Sequence, residues 1–466
     1  MELFSQRNVR VISMVIVGVI IVAGLVVYTY HSPSSSPTSS SSIFSSSSTL
    51  STLPTSSSEL NSFLEQQLSS LSQEVSSLNQ QVSSLNQQVS VLQSGQCSFY
   101  VFTNESYYYA QNCVTGVITY GGPNDAGGVS GTSAASVINN AIAALPTSGL
   151  AQGGIIQFGV GEFVIGSSVS VGNDVTLEGA GRNSTIFVPS SSLDAPVITD
   201  SGGIAGSRGV TLENFGIVGD GYNTNPGTYG ILWYALQAGS RDQMSFIFQG
   251  LYVDMNSGDA LSLPRTFPVT DGFGVVEDSS FEEGPNGHTA LSLILSDSQI
   301  IDVYTKDDSS HYPEVYAGGG TNVFTADYFG GSSYTRGAVE VQGAATFSNT
   351  IIDFADGACL NLDIGTSIYD ANFTFTGGQI TDCGAGAMNT YPSILVSAAD
   401  GATFNGVKFY NYNPNIPSYL IQTVGASGVV NDILVTNCQI QVNTFAAGIA
   451  NITPGSVTFA NNEGYP

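Results

Sequence analysis

Apolar and polar residues follow one another along this chain in three rhythms, and each marks a different kind of element. Val11 to Tyr30 (VISMVIVGVIIVAGLVVYTY) is 20 residues without a charge. At about 1.5 Å per residue, a helix of that length spans roughly 30 Å, the thickness of a hydrocarbon core. Arg7 and Arg10 precede it and no Lys or Arg follows until Arg182. The positive-inside rule therefore makes residues 1–10 a cytosolic tail, residues 11–30 a transmembrane anchor and the remainder extracellular. A cleaved signal peptide fits less well. The apolar run exceeds the usual stretch of about 7–15 residues, and no Ala-x-Ala cleavage site follows closely after Leu25. Residues 31–58 carry no periodicity: from Ser32 to Ser58, 20 of 27 residues are Ser or Thr. Such a segment buries no core and reads as an extended stalk, O-glycosylated or bare.

The second rhythm is a heptad within residues 59–94. Leu64, Leu68, Leu71, Val75, Leu78, Val82, Leu85, Val89 and Leu92 alternate in spacing between four and three. With Val at a and Leu at d, the pattern specifies a coiled coil and favours two strands. Between Leu64 and Leu92 the flanking positions are mainly Ser, Gln and Asn, with Glu65 and Glu74 the only charges and no cation to pair with them, so the expected assembly is a homo-oligomer, dimer or trimer.

The third rhythm fills residues 95–466. An apolar, any, Asn/Gly/Asp, any, any, apolar unit recurs from Leu212 (LENFGI), Phe248, Val276, Phe324, Phe347, Phe375, Phe404 and Val435, with a truncated copy at Phe459. A loose member (QIIDVY) lies at Ile300, and the period is about 27 residues. The third position holds Asn214, Gly250, Asp278, Asn349, Gly377, Gly406, Asn437 and Asn461, with Ala326 as the exception. Asn, Asp and Gly tolerate a left-handed backbone, so this position reads as a sharp bend between two strands. Repeats of this length stacked at about 4.8 Å give an all-β parallel β-helix. An antiparallel sandwich is the alternative, but it has no constant rung length.

Composition narrows the function. The chain has 9 Lys and Arg against 36 Asp and Glu, a formal net charge of −27, while only 10% of residues are charged. Lys306 and Lys408 are its two lysines, which excludes a phosphate-tracking nucleic-acid binder. Five cysteines (Cys97, Cys113, Cys359, Cys383 and Cys438) include no CxxC pair, so no metal site is expected. Cys97 and Cys113 are spaced to close a loop at the domain entrance. Cys359 and Cys383, one rung apart, would stack as a thiol pair or a disulfide. Asn104, Asn183, Asn372 and Asn451 open N-glycosylation sequons.

The segment Ser133 to Leu145 (SAASVINNAIAAL) is an amphipathic helix capped by Thr132 or Ser133. It is followed by GGIIQFGVGEFVIG from Gly153 and VTLEGAGRNSTIF from Val175. In order and spacing this resembles the entry of the pectin-lyase-like superfamily, specifically the pectate lyase superfamily domain of rhamnogalacturonase-like and epimerase-like proteins. The resemblance implies a right-handed parallel β-helix whose open end is capped by the helix. It departs from the family just before that helix, where GTSAAS replaces an acidic pair, so it transfers as fold and not as active site.

Eleven of the acidic residues fall between Asp254 and Asp308, together with Arg265, His288 and Lys306. Asp259, Asp278 and Glu282 are the candidate carboxylate pair and its substitute, with His288 orienting substrate or water. Paired carboxylates split into one acid and one base. Gly287-His288 resembles part of the Gly-His-Gly segment of polygalacturonase-like hydrolases. The lyase alternative would recruit Ca²⁺; otherwise no cofactor is implied. The leading reading is a spike or adhesin on a cell surface or virion envelope that binds a surface polysaccharide, with cleavage by a hydrolase or lyase as the alternative. Tyr222, Tyr229, Trp233 and Tyr234 would be its stacking platform. Replacing Leu71, Leu78 and Leu85 by Ser removes three buried d residues, each worth about 1.5–3 kcal/mol, and should turn the oligomer into monomers by light scattering; a monomeric unmodified chain contradicts the heptad reading.

Overall fold

The computed structural model describes Ser70, Gln73 and residues 97–464, apart from residues 149–150, 202–208, 220–222, 234–243, 265–271, 296–297, 308–310, 365–371, 425–429 and 453–455. The chain divides into two units, residues 1–83 and 84–466. The anchor and stalk, and the coiled coil apart from Ser70 and Gln73, lie outside the described residues. Those two are helical and exposed. No helix among the described residues is long and apolar enough to cross a membrane.

Residues 97–464 wind as a parallel β-helix with three walls. Apart from the hairpins of the entry region, neighbouring strands pair in parallel. A typical coil runs Val210–Glu213 on the first wall, Gly216–Val218 on the second and Ile231–Leu232 on the third, then returns at Met244–Gln249. The second wall is an 11-stranded sheet. Ile394–Asn405 runs from the third wall into the first and joins the two as one hydrogen-bonded sheet.

The recurring third position is the bend between the first and second walls. It has a left-handed backbone in every repeat: φ is +61° at Asn214, +61° at Gly250, +46° at Asp278 and +54° at Asn349. Gly377, Gly406, Asn437 and Asn461 follow suit, as does Asp302 in the loose copy, and even Ala326 is at +60°. Because each bend falls at the same point, the preceding apolar residues superpose. Leu177, Leu212, Phe248, Val276, Ile300 and Phe324 form one inward column. Phe347, Phe375, Phe404, Val435 and Phe459 extend it. Within this column Phe324 and Phe347 stack at 4.4 Å, and Phe347 and Phe375 at 5.4 Å. Stacked pairs of this kind add about 0.5–1.5 kcal/mol beyond area burial.

Coiling starts earlier than the repeat suggests. Gly154–Phe158 already pairs with Val175–Glu178, and Gly161–Ile165 with Thr185–Pro189. Their bends are Gly-x-Gly units, Gly159-Val160-Gly161 and Gly179-Ala180-Gly181, which use two glycines instead of one left-handed residue. The helix covers the entry end over Ala134–Ala143, and Ser133 caps it by accepting the Ser136 amide. Its buried face carries Ala134, Val137, Ile138, Ala141 and Ile142. Cys97–Cys113 closes the hairpin of Phe99–Asn104 and Tyr107–Asn112, and Cys359–Cys383 links successive coils. Cys438 is a buried free thiol.

Trp233 is 1% exposed and packs edge-on against Phe248 in the core. It cannot offer a ring to a sugar: the side chain follows Ile231–Leu232 of the third wall and faces inward. The Ala326 bend is a local misfit, since a left-handed conformation costs an L-residue roughly 1–2 kcal/mol unless it is Asn, Asp or Gly. Ala326 is exposed, so Ala326→Asn should stabilise the domain by about 0.5–1 kcal/mol and raise its melting temperature. An unchanged or lower value would contradict the strain.

Candidate functional site

The side chains two and four residues after each bend point outward from the second wall. Consecutive coils therefore place Tyr252, Ser280, Tyr304 and Tyr328 in one column, followed by Ile351, Gln379, Lys408 and Gln439. The neighbouring column carries Asp254, Glu282 and Lys306, then Asp353, Thr381 and Tyr410. Tyr304 and Tyr328 lie face to face, with ring centroids 5.4 Å apart and planes within 8°. Tyr328 Oη donates to Asp353 Oδ2 at 2.9 Å, and Tyr252 Oη to Asp254 Oδ2 at 3.2 Å. Burial and the Asp353 carboxylate hold the Tyr328 phenol well above its ordinary value, so it remains a donor. Both lysines of the chain are on this wall. The result is an outer surface of tyrosine rings edged with carboxylates, amides and two cations.

The candidate residues of the acidic window separate. Asp278 forms a bend, is exposed, and lies 3.8 Å from Arg182. Glu282 faces outward between Asp254 and Lys306 and accepts from Ser280 Oγ at 3.4 Å. Asp259 and His288 instead meet at the far corner of the second wall, where Asp259 Oδ1 is 3.8 Å from His288 Nδ1 and accepts from the Thr289 amide at 3.2 Å. The strand Ser280–Glu283, about 13 Å long at 3.3 Å per residue, separates this corner from Asp278. Asp259 and Asp278 are therefore not a catalytic pair: the left-handed bend that Asp278 supplies fixes it at the opposite end of the strand.

Asp259 has buried acidic neighbours. Glu283 and Asp307 occupy register-matched inward positions, 3% and 0% exposed. Burial, then Asp307, Asp259 and Asp254, push the Glu283 carboxyl well up. Gly287 makes room for it, since a Cβ there would lie 2.0 Å from Glu283 Oε2. Burial raises Asp259 as well, against the Ser262, Thr289 and His288 interactions that lower it. His288 packs near Tyr229 and against Tyr312, at 6.4 and 4.5 Å between ring centroids. Tyr222 and Tyr234 lie outside the described residues. Among the described residues, no group of three or more His, Cys, Asp or Glu side chains is placed to hold a metal ion.

Asn104, Asn183 and Asn372 are exposed and Asn451 is half-buried, and none lies in a second-wall strand. Sequence reasoning passed over Tyr252, Tyr304, Tyr328, Tyr410 and Asp353. Reading the residues at bend plus two and bend plus four in every repeat would have found them.

No family model matches the chain, and no curated protein matches it. Among solved structures it is similar to full-length tailspike protein 2 of Escherichia coli O157:H7 bacteriophage CAB120, at 13% identity and a TM-score of 0.49, over 70% of this chain and 43% of that one. The chain thus spans under half the length of that tailspike. It is also similar to the A-module of the Azotobacter vinelandii mannuronan C-5 epimerase AlgE6, at 15% identity and a TM-score of 0.46, over 71% and 96% of the two chains. A third likeness is the catalytic unit of a GH87 alpha-1,3-glucanase from Streptomyces thermodiastaticus strain HF3-3, at 17% identity and a TM-score of 0.43, over 72% and 66%. The parallel β-helix rests on the strand pairings of this chain, and no residue's role is taken from these proteins.

Two further interior acids make the domain pH-sensitive. Burial pushes Glu314 up to about 8 despite hydrogen bonds from Thr305 Oγ1 and the Gly330 amide. Burial also pushes Asp327 up to about 8 although it accepts the Val303 amide. The folded state thus binds protons that the unfolded chain, with carboxyls near 4, releases. The stability these two groups contribute is full below about pH 4 and declines as pH rises to about 8, by roughly 1.4 kcal/mol per pH unit for each group. The melting temperature should fall between pH 5 and pH 8, and Glu314→Gln with Asp327→Asn should flatten the slope. A melting temperature that rises over this range contradicts the assignment.

Proposed function

We propose that this protein binds a polysaccharide along the outer surface of the second wall, as the distal domain of a membrane-anchored, homo-oligomeric spike or adhesin. One observation carries the reading: the repeat puts tyrosine rings and carboxylates in adjacent outward columns, with Tyr304 and Tyr328 stacked and Tyr328 anchored to Asp353. Aromatic faces stack on the C–H faces of sugar rings while the flanking polar groups take their hydroxyls. A linear glycan running along the helix axis would cross an aromatic stretch at Tyr304 and Tyr328 and polar side chains on the coils to either side. The absence of sequons from the second-wall strands keeps that surface clear of attached sugar. The N-terminal anchor, stalk and heptad supply the spike in this reading, and the glycan is that of a cell surface.

A second reading, polysaccharide cleavage by a hydrolase or lyase, draws on the Asp259–His288 corner beside the same surface. Asp259 is buried, and its acidic neighbour Glu283 is more so, which favours binding over turnover.

Replacing both Tyr304 and Tyr328 by Ala should weaken binding on a polysaccharide array by about tenfold or more, equivalent to at least 1.4 kcal/mol, with little change in melting temperature. Unchanged binding would remove the second wall as the binding surface. Shortening of a bound glycan that disappears in Asp259→Asn would establish cleavage instead.

A further inference from the structure

At its far end the second wall shapes a groove of about 470 Å³, within the range of about 300–1,000 Å³ usual for small-ligand sites. Its floor is a column on three successive coils, Gln379, Lys408 and Gln439. Tyr410 and Tyr412 line it with ring centroids 5.0 Å apart, and Glu463 lines it too.

Tyr412 is 79% exposed, yet its backbone is held. Asp382 Oδ1 accepts the amides of Tyr412 at 2.6 Å and Asn413 at 2.8 Å. Asparagine side chains brace the residues that follow, with Asn411 and Asn413 accepting backbone amides and Asn415 reaching the Ala385 carbonyl. An exposed ring on a fixed backbone is pre-organised for stacking, because little freedom is lost when a ligand arrives. Gln379 Oε1 is occupied by Tyr410 Oη, which leaves its NH₂ group to donate.

The charge and donor set narrow the ligand. Lys408 is offset by Glu463 in the same lining, within a chain of net charge −27, so an anionic sugar gains little here. Three carboxamides line the groove: Gln439 and Gln441 each pair a donor with an acceptor, the complement of a secondary amide, and Gln379 adds a donor. The Tyr412 ring offers an apolar surface for a methyl group.

We propose that this groove holds an N-acetylated amino-sugar unit of the bound glycan, its acetamido group paired with the glutamine carboxamides and its ring stacked on Tyr412. The proposal rests on the reading of the second wall as a glycan-binding surface.

The test is calorimetric titration of the full chain in detergent with the β-1,4 disaccharide of N-acetylglucosamine, the matching glucose disaccharide and a diuronate. The N-acetylated probe should bind at least tenfold more tightly than either of the others. Tyr412→Ala and Gln439→Leu, both at exposed positions, should each weaken it about tenfold or more at unchanged melting temperature, whereas Tyr304→Ala should leave this short probe unaffected. Equal binding of the acetylated and plain disaccharides, tighter binding of the diuronate, or full binding by Tyr412→Ala overturns the proposal. If the short probe fails while a long polysaccharide still binds in a Tyr304-dependent way, the groove assignment falls and the wall remains; if neither binds, both fall.

Discussion

The architecture depends on one backbone constraint, a left-handed residue at the bend between the first and second walls. From Asn214 to Asn461 that residue recurs once per coil with φ between +46° and +69°. A one-residue slip in any strand would exchange its inward and outward side chains. By fixing where each strand ends, the bend fixes the register of all its neighbours. The inward phenylalanine column and the outward tyrosine column are two results of that constraint.

The fold was legible because the bend admits few residue types. Asn, Asp and Gly at a constant offset from apolar residues revealed the coil, and the helix with its Ser133 cap revealed the entry end. The first coils were less legible, because Gly159 and Gly161, like Gly179 and Gly181, turn the chain with a different unit. The site was harder to read for a physical reason. Acid clustering along the sequence does not translate into clustering in space, because on a coil of this length neighbours in sequence occupy different walls. Asp278 and Asp259 are held at opposite ends of a strand, whereas Tyr304 and Tyr328, 24 residues apart, touch. Trp233 misled for a related reason: its tyrosine-rich flank reads as exposed, while the alternation of the third wall turns the indole inward.

The distribution of charge follows a similar logic. Inside, Glu283, Glu314 and Asp327 occupy positions that a parallel β-helix would ordinarily give to apolar side chains, and the outer surface carries few cations to offset its acids. Protonation removes both difficulties together. Interior carboxyls then act as hydrogen-bonding neutral groups, and the repulsion among exterior ones relaxes. The cation-poor surface and the acids of the interior thus gain from the same condition, surroundings rich in protons.

Coils that touch only their neighbours behave as a linear array, in which disorder spreads from an end and not from the middle. The link between Cys359 and Cys383 interrupts that spread. Coils beyond it can open while those before it remain wound, because the staple keeps the two adjoining turns together when their hydrogen bonds are lost. Reduction would remove that stop, so the redox state of the surroundings decides how far disorder that enters at the last coil travels.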